Sequence, residues 1–167
     1  MENDKYDNNG LIDNLSTEQI EAMSEDTIDN KFLLFKIAEE EFGIEISCVK
    51  EIINIVPITQ VPHTPNYLKG IINLRGDIVP IIEIRTRFRM AHMDYDDLTC
   101  IIVIENEGEK IGFIVDAVNE VKYIRKDKIS SPPSVKLAYS NQFVRNLGSV
   151  DDKVVLLLDR DKILSDD

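Results

Sequence analysis

Gly43-Ile44-Glu45-Ile46-Ser47-Cys48-Val49-Lys50-Glu51-Ile52-Ile53-Asn54-Ile55 and Gly112-Phe113-Ile114-Val115-Asp116-Ala117-Val118-Asn119-Glu120-Val121-Lys122-Tyr123-Ile124 are two copies of one pattern. Gly43/Gly112, Val49/Val118, Glu51/Glu120 and Ile55/Ile124 are identical, and Ile44/Phe113, Ile46/Val115 and Ile52/Val121 match in character. Each copy opens with a glycine ahead of a β-branched run, a placement that suits a tight turn or a close backbone approach. The pattern predicts two similar β units in tandem. It favours a two-unit binding module over an enzyme built around a single pocket.

Composition agrees with a β protein. Of 167 residues 43% are hydrophobic and 7% aromatic, with no Trp, so the core must be mainly Ile, Val and Leu. Such side chains fit pleated, half-buried surfaces. The net charge of −12 is unevenly placed: residues 1–30 hold nine acids against the single base Lys5. Residues 1–30 therefore read as a flexible, solvated acidic tail, and residues 31–167 as the folded body. Within the tail, Ser16–Met23 has the chemistry of a short helix, with Ser16 as cap and Gln19 completing a capping box. Its apolar residues Leu15, Ile20 and Met23 are candidates for docking on the body. An acidic chain argues against nucleic acid, whose binding rests on Lys and Arg neutralising phosphates.

Cys48 and Cys100 both lie in apolar, strand-like contexts with no secretory segment ahead of them, which predicts buried, reduced thiols in a cytosolic protein. Aliphatic runs such as Val154–Leu158 are far shorter than the ~20 residues needed to span a bilayer. Direct membrane insertion is therefore not expected.

Along the body, Lys31–Ile37 and Phe42–Ile46 read as paired strands, and Ser47–Ile55 continues the apolar rhythm. Pro57, Pro62 and Pro65 punctuate an extended connection. Thr64–Gly70 has the chemistry of a compact helical turn, with Thr64 as N-cap, Pro65 at the first position and Gly70 at the stop. Ile71–Ile82 reads as a hairpin turning at or near Gly76-Asp77. Glu83–Phe88 suits one helical turn, and the polar loop 89–97 is the expected divide between the two halves. Strands Thr99–Glu105, Lys110–Val115, Val118–Ile124, Phe143–Val150 and Val154–Leu158 follow, and Asp159 caps a final short helix. Many short, closely spaced strands point to small barrels or a sandwich.

Catalytic chemistry is hard to find. His63 and His92 have no partner at metal-ligand spacing, and neither a Walker-type glycine loop nor a nucleophile elbow occurs. Asp94, Asp96, Asp97 and Glu105 imitate a calcium loop only superficially, because Leu98 and Thr99 stand where a ligand and the turning glycine are required. No metal, cofactor or enzymatic activity is expected. Glu51 and Arg75 are a candidate ion pair.

The hairpin Asn73-Leu74-Arg75-Gly76, preceded by Leu68-Lys69-Gly70-Ile71-Ile72 and followed by Ile78-Val79-Pro80-Ile81-Ile82, resembles the signature of CheW-type coupling proteins. Phe32–Phe35, Phe42–Ile46, Val49–Ile52, Val103-Ile104, Ile111–Asp116 and Leu147-Gly148 fit the same family in the same order, from about Lys31 to Leu164. The resemblance implies two packed five-stranded SH3-like barrels and no enzymatic activity. It implies a chemotaxis adaptor that bridges chemoreceptors to the histidine kinase CheA, in the cytoplasm and recruited to membrane arrays through these partners. With no receiver domain after Leu164, a stand-alone coupler is expected rather than the CheV arrangement.

By matching position, the resemblance assigns a receptor-facing groove between the barrels to Leu33, Ile46, Val49 and Val118, and coupling to Glu51 and Arg75. It assigns the kinase-facing surface to Ile58, Val61, Tyr67 and Leu68. Gly43, Gly70, Gly76, Gly112 and Gly148 are given backbone roles. The rival readings are a small-molecule sensor and a coupler for another kinase pathway such as surface motility.

Overall fold

The structure is a computed structural model and describes residues 30–133 and 139–165. The acidic tail and its expected helix Ser16–Met23 lie outside the described residues. The body is mainly β. Strands β1 (Lys31–Ile37) and β2 (Glu40–Glu45) form an antiparallel hairpin, and a 3-10 turn at Ile46–Cys48 leads to β3 (Val49–Asn54). A second hairpin joins β4 (Leu68–Leu74) to β5 (Asp77–Glu83), followed by the single turn α1 (Ile84–Arg87). Then come β6 (Cys100–Asn106), β7 (Glu109–Val115) and β8 (Ala117–Tyr123), with a 3-10 turn at Lys126–Lys128 and the two-residue β9 (Ile129–Ser130). The hairpin β10 (Val144–Val150) and β11 (Lys153–Leu158) precedes α2 (Arg160–Leu164), where the Asp159 carboxylate accepts from the Asp161 amide as expected of an N-cap.

Two compact units result. The first is Cys48–Val118, and its sheet has the order β3-β6-β7-β5-β4. The second contains the described chain up to Ser47 and from Asn119 onward, with the order β8-β1-β2-β11-β10-β9. Five strands of the second sheet correspond one for one with the first, and β9 is an added edge strand. In both, a hairpin lies beside a parallel neighbour: β7 runs parallel to β5, and β2 parallel to β11.

The repeated glycines occupy equivalent places in these parallel pairings, Gly112 opposite Ile81 and Gly43 opposite Leu157. A Cβ on Gly112 would come 2.6 Å from Ile81 Cδ1 and 2.7 Å from Ile101 Cγ2, and one on Gly43 would come 2.9 Å from Leu157 Cδ2. The repeat is thus a packing constraint used twice. Gly148 is a milder case, its Cβ falling 3.1 Å from Ile124 Cδ1.

Each copy of the repeat begins in one unit and ends in the other. The chain crosses between units at Ser47/Cys48 and again at Val118/Asn119, so the divide is not at 89–97. That loop belongs wholly to the first unit because side chains pin it there. Tyr95 donates to the Glu83 carboxylate at 2.9 Å, and the Arg85 guanidinium donates to the Ala91 carbonyl at 2.9 Å. A polar composition marks a loop, but it does not reveal what the loop is tied to.

Each unit has its own aliphatic core. In the first, Ile72, Val79, Ile81, Ile101, Val103 and Ile114 are buried, with Ile53 and Leu74 packed against them. Ile53 lies on β3 and Leu74 on β4, the two opposite edges of the sheet order, so the sheet curls around its core. In the second, Phe32, Leu34, Ile124, Val155 and Leu157 are buried beneath Ile129 and Val150. Cys48 and Cys100 are both buried and not disulfide-bonded.

Thr64–Gly70 is not a helical turn. Thr64 donates its hydroxyl to the Val61 carbonyl at 2.8 Å, Leu68 closes a single turn onto Pro65, and Leu68 already begins β4. Gly70 lies inside the strand at φ +152°, where a Cβ would fall 2.2 Å from the Thr59 carbonyl oxygen. Thr59 and Ile71 exchange backbone hydrogen bonds of 2.9 and 2.8 Å, which lay the proline-rich connection along the edge of β4. The glycine expected to stop a helix here permits that close approach instead.

Candidate partner-binding site

The hairpin between β4 and β5 turns at Arg75-Gly76, with φ of 51° and 94°. Two successive left-handed residues match the right-handed twist of the flanking strands, and Gly76 takes the second position without strain. The Asn73 side-chain oxygen accepts from the Gly76 amide at 2.9 Å and fixes the turn. Arg75 therefore projects from a rigid tip, and its guanidinium donates to Glu51 on β3. The pair links the two edges of the first unit's sheet. Glu51 is 15% exposed and Arg75 66%, so half of the pair stays accessible to another molecule.

The residues expected to face a kinase are half-buried, and all belong to the first unit. Ile58 packs onto that unit's core beside the Thr59–Ile71 bridge. The Tyr67 carbonyl accepts from the Glu83 amide, and its ring lies 4.4 Å from the Arg87 guanidinium carbon. Val61 and Leu68 flank these positions. On the same unit Ile78 is 60% exposed on β5, an apolar side chain that sequence reading did not single out. Its signal was its place beside the hairpin tip.

The four residues expected in a receptor groove divide by burial. Leu33 has no exposure and Val49 only 6%, so both side chains are buried. Leu33 pairs with Ile44 across β1–β2, and Val49 faces Ile104 on β6. Ile46, at the start of the 3-10 turn, and Val118, on β8, are half-buried and keep apolar surface. Burial holds the Cys100 thiol up, to about 11, although the Val118 backbone hydrogen bond works against the shift.

A polar cluster escaped the sequence reading. Glu83, only 6% exposed, accepts from Tyr95 at 2.9 Å and from the Thr86 hydroxyl at 3.2 Å. Burial, reinforced by Glu83, pushes the Tyr95 phenol upward. Arg85 lies against Asp116, its Nε donating at 2.9 Å, and that hydrogen bond holds the guanidinium more firmly protonated. The Lys69 ammonium stands 5.7 Å from the Tyr95 ring centroid. Apart from the Thr86–Glu83 bond, these contacts join residues distant in sequence, and nothing in local spacing announces them. Among the described residues no three His, Cys, Asp or Glu side chains converge as metal ligands, and no helix is long and apolar enough to cross a membrane.

This geometry defines a class: a small, two-unit β protein whose described residues present half-buried apolar positions and a half-exposed ion pair. The CheW-like domain family matches residues 31–167, and the chain belongs to that family. It is 32% identical to the chemotaxis protein CheW of Klebsiella aerogenes over 146 residues, covering 87% of this chain and 88% of that protein. It is 31% identical to CheW of Helicobacter pylori over 137 residues, covering 82% of each. The crystal structure of the scaffolding protein TtCheW from Thermoanaerobacter tengcongensis superposes with a TM-score of 0.73 at 38% identity. It covers 78% of this chain and 89% of that one. The fold class expected from the resemblance is the one found: mainly β, in two sheets, with few short helices. The chain is thus a CheW-type adaptor of bacterial chemotaxis, and proteins of this type are scaffolds.

Proposed function

We propose that this chain couples chemoreceptor cytoplasmic tips to the histidine kinase CheA without catalysing a reaction, acting in the cytoplasm at membrane arrays that it reaches through those partners. The observation that carries the proposal is the match to CheW proteins along the whole described body, with the scaffold's fold. A metabolite sensor or a coupler for another pathway is not favoured, since the relatives are chemotaxis proteins.

On the receptor side, Ile46 in the second unit and Val118 in the first each keep apolar surface of the kind an amphipathic helix covers. On the kinase side, Ile58, Val61, Tyr67 and Leu68 supply a contact fixed by the Thr59–Ile71 bridge. Glu51 and Arg75 sit at a rigid tip where an approaching partner can exchange or extend the ion pair. Contacts of roughly micromolar strength, about −8 kcal/mol each, are reversible singly and reinforce one another in an array through effective concentration. Geometry, not chemistry, then carries receptor state to the kinase.

The test is co-sedimentation with chemoreceptor-bearing membranes, with and without CheA, comparing wild type with Ile46→Glu and Val118→Glu. These half-buried positions are better probes than Val49, where a buried charge would endanger the fold itself. Wild type should bring CheA to the membrane, and the variants should lose receptor binding at least about tenfold, or 1.4 kcal/mol. A wild-type protein that binds neither partner overturns the coupling role. Variants that bind normally overturn the assignment of those two residues.

A further inference from the structure

The described chain enters beside a basic stretch of surface. The Ile124 amide donates to the Asn30 carbonyl at 2.8 Å, so whatever precedes Asn30 arrives next to the run Lys122–Lys128. That run holds Lys122, Arg125, Lys126 and Lys128 against Asp127 alone, in a protein of net charge −12. Arg125 is taken up by Asp127, and Lys122 lies 3.8 Å from both Glu120 and Asp151. Lys126 and Lys128 are exposed and form no ion pair among the described residues. Beside them is a cavity of about 290 Å³ with Phe32, Ile129 and Leu157 as its apolar wall. Asn30, Lys126 and Glu45 line it as well, together with Arg145, whose guanidinium is 3.3 Å from both Glu45 and Asp159 and so offsets their charge.

Residues 1–29 have the complementary chemistry: nine acids against Lys5, with Leu15, Ile20 and Met23 set among them. We propose that residues 15–29 dock back onto this face of the same chain, placing carboxylates on Lys126 and Lys128 and an apolar side chain in the cavity beside Asn30. Reach is ample, because fifteen residues span up to ~50 Å. A tether of that length gives an effective concentration in the millimolar range, so weak contacts suffice. The inference does not depend on the coupling role.

The test uses the full chain, mixed from ¹⁴N- and ¹⁵N-labelled preparations. A carbodiimide joins carboxylates to amines in direct contact, and mass spectrometry maps the links. Glu18, Glu21 or Glu25 should link to Lys126 or Lys128 within a single isotopic copy. Yield should fall at least about fivefold between roughly 0.01 M and 1 M salt, as the screening length shrinks from ~30 Å to ~3 Å. Absent links, links mainly to other lysines, mixed-isotope links in the majority, or yields unmoved by salt each overturn the proposal. As a second measurement, the full-chain variant Lys126→Glu/Lys128→Glu should exchange amide hydrogens over residues 15–25 at least about threefold faster than wild type, with β10 and β11 unchanged. Equal rates over 15–25 overturn it too.

Discussion

Reversing the charge at the hairpin tip separates a structural strut from a partner contact. Arg75 is 66% exposed and Glu51 15%, so water screens the pair on one side, and an ion pair of this kind stabilises by about 0–1 kcal/mol. Arg75→Glu removes that attraction and sets two carboxylates face to face, for a total of at most about 1.5 kcal/mol. In a chain of this length each kcal/mol moves the melting temperature by about 2–4 °C, so a loss of no more than about 6 °C is expected. Glu51→Arg should behave alike. The doubly exchanged protein, Glu51→Arg with Arg75→Glu, restores the attraction and should melt within about 2 °C of wild type. Thermal melts are then read beside co-sedimentation with receptor membranes and CheA. If the tip touches a partner, the exchanged protein is stable yet brings at least about tenfold less CheA to the membrane. The reasoning fails if the exchanged protein couples normally, for then the pair only ties β3 to the hairpin.

Gly112→Ala and Gly43→Ala should both destabilise, and unequally. The new methyl meets two buried β-branched side chains at 2.6 and 2.7 Å in the first case, and leucine ends at 2.9 and 3.1 Å in the second. Overpacking of this kind costs about 1–3 kcal/mol; urea midpoints should put Gly112→Ala lower, and the reverse order would remove the steric explanation. The Cys100 thiol titrates near 11 in the fold against 9 as its ordinary value, so the folded state favours the neutral form. That stability is fully present below pH 9 and is lost as pH rises towards 11, to a limit on the order of 2–3 kcal/mol. Wild type should therefore lose more stability than Cys100→Ala between pH 8 and pH 11, and parallel losses would contradict the shift. Tyr95→Phe should cost about 1–2 kcal/mol by removing a donor from the buried Glu83 carboxylate. Amide exchange should accelerate in residues 89–97 first, and uniform acceleration would show that the loop is held by other means.

Strand positions, hairpins and the Asp159 cap were legible because they follow from local rules: alternation, turn residues and a carboxylate ahead of a helix. The repeat was legible too, and its glycines proved to do one job twice. The domain divide was not, because pairings such as Phe42 with Leu156 join distant residues that no window contains. Composition marked the loop 89–97 correctly as a loop, while Tyr95 and Glu83 decided where it belongs. Gly70 was misplaced because Thr-Pro before a Gly suits a capped helix and a tight strand approach equally well. At the candidate site, family position pointed to Leu33, Ile46, Val49 and Val118 alike, and burial distinguishes the enclosed Leu33 and Val49 from the half-buried Ile46 and Val118. Periodicity alone cannot tell a core residue from a groove residue when both are apolar.

The two crossings also fix an order of completion during synthesis. Every strand of the first unit, β3 to β7, lies in one continuous stretch, so its sheet can close as soon as Val118 has left the ribosome. The second unit begins earlier and finishes later. Its strands β1 and β2 must wait for β11, more than a hundred residues downstream, which at typical elongation rates is on the order of ten seconds. Throughout that interval the apolar side chains of Phe32 and Leu34 have no Val155 or Leu157 to cover them. The nascent chain therefore carries a finished unit and an unfinished one at the same time, and the second is where a chaperone would find its binding site.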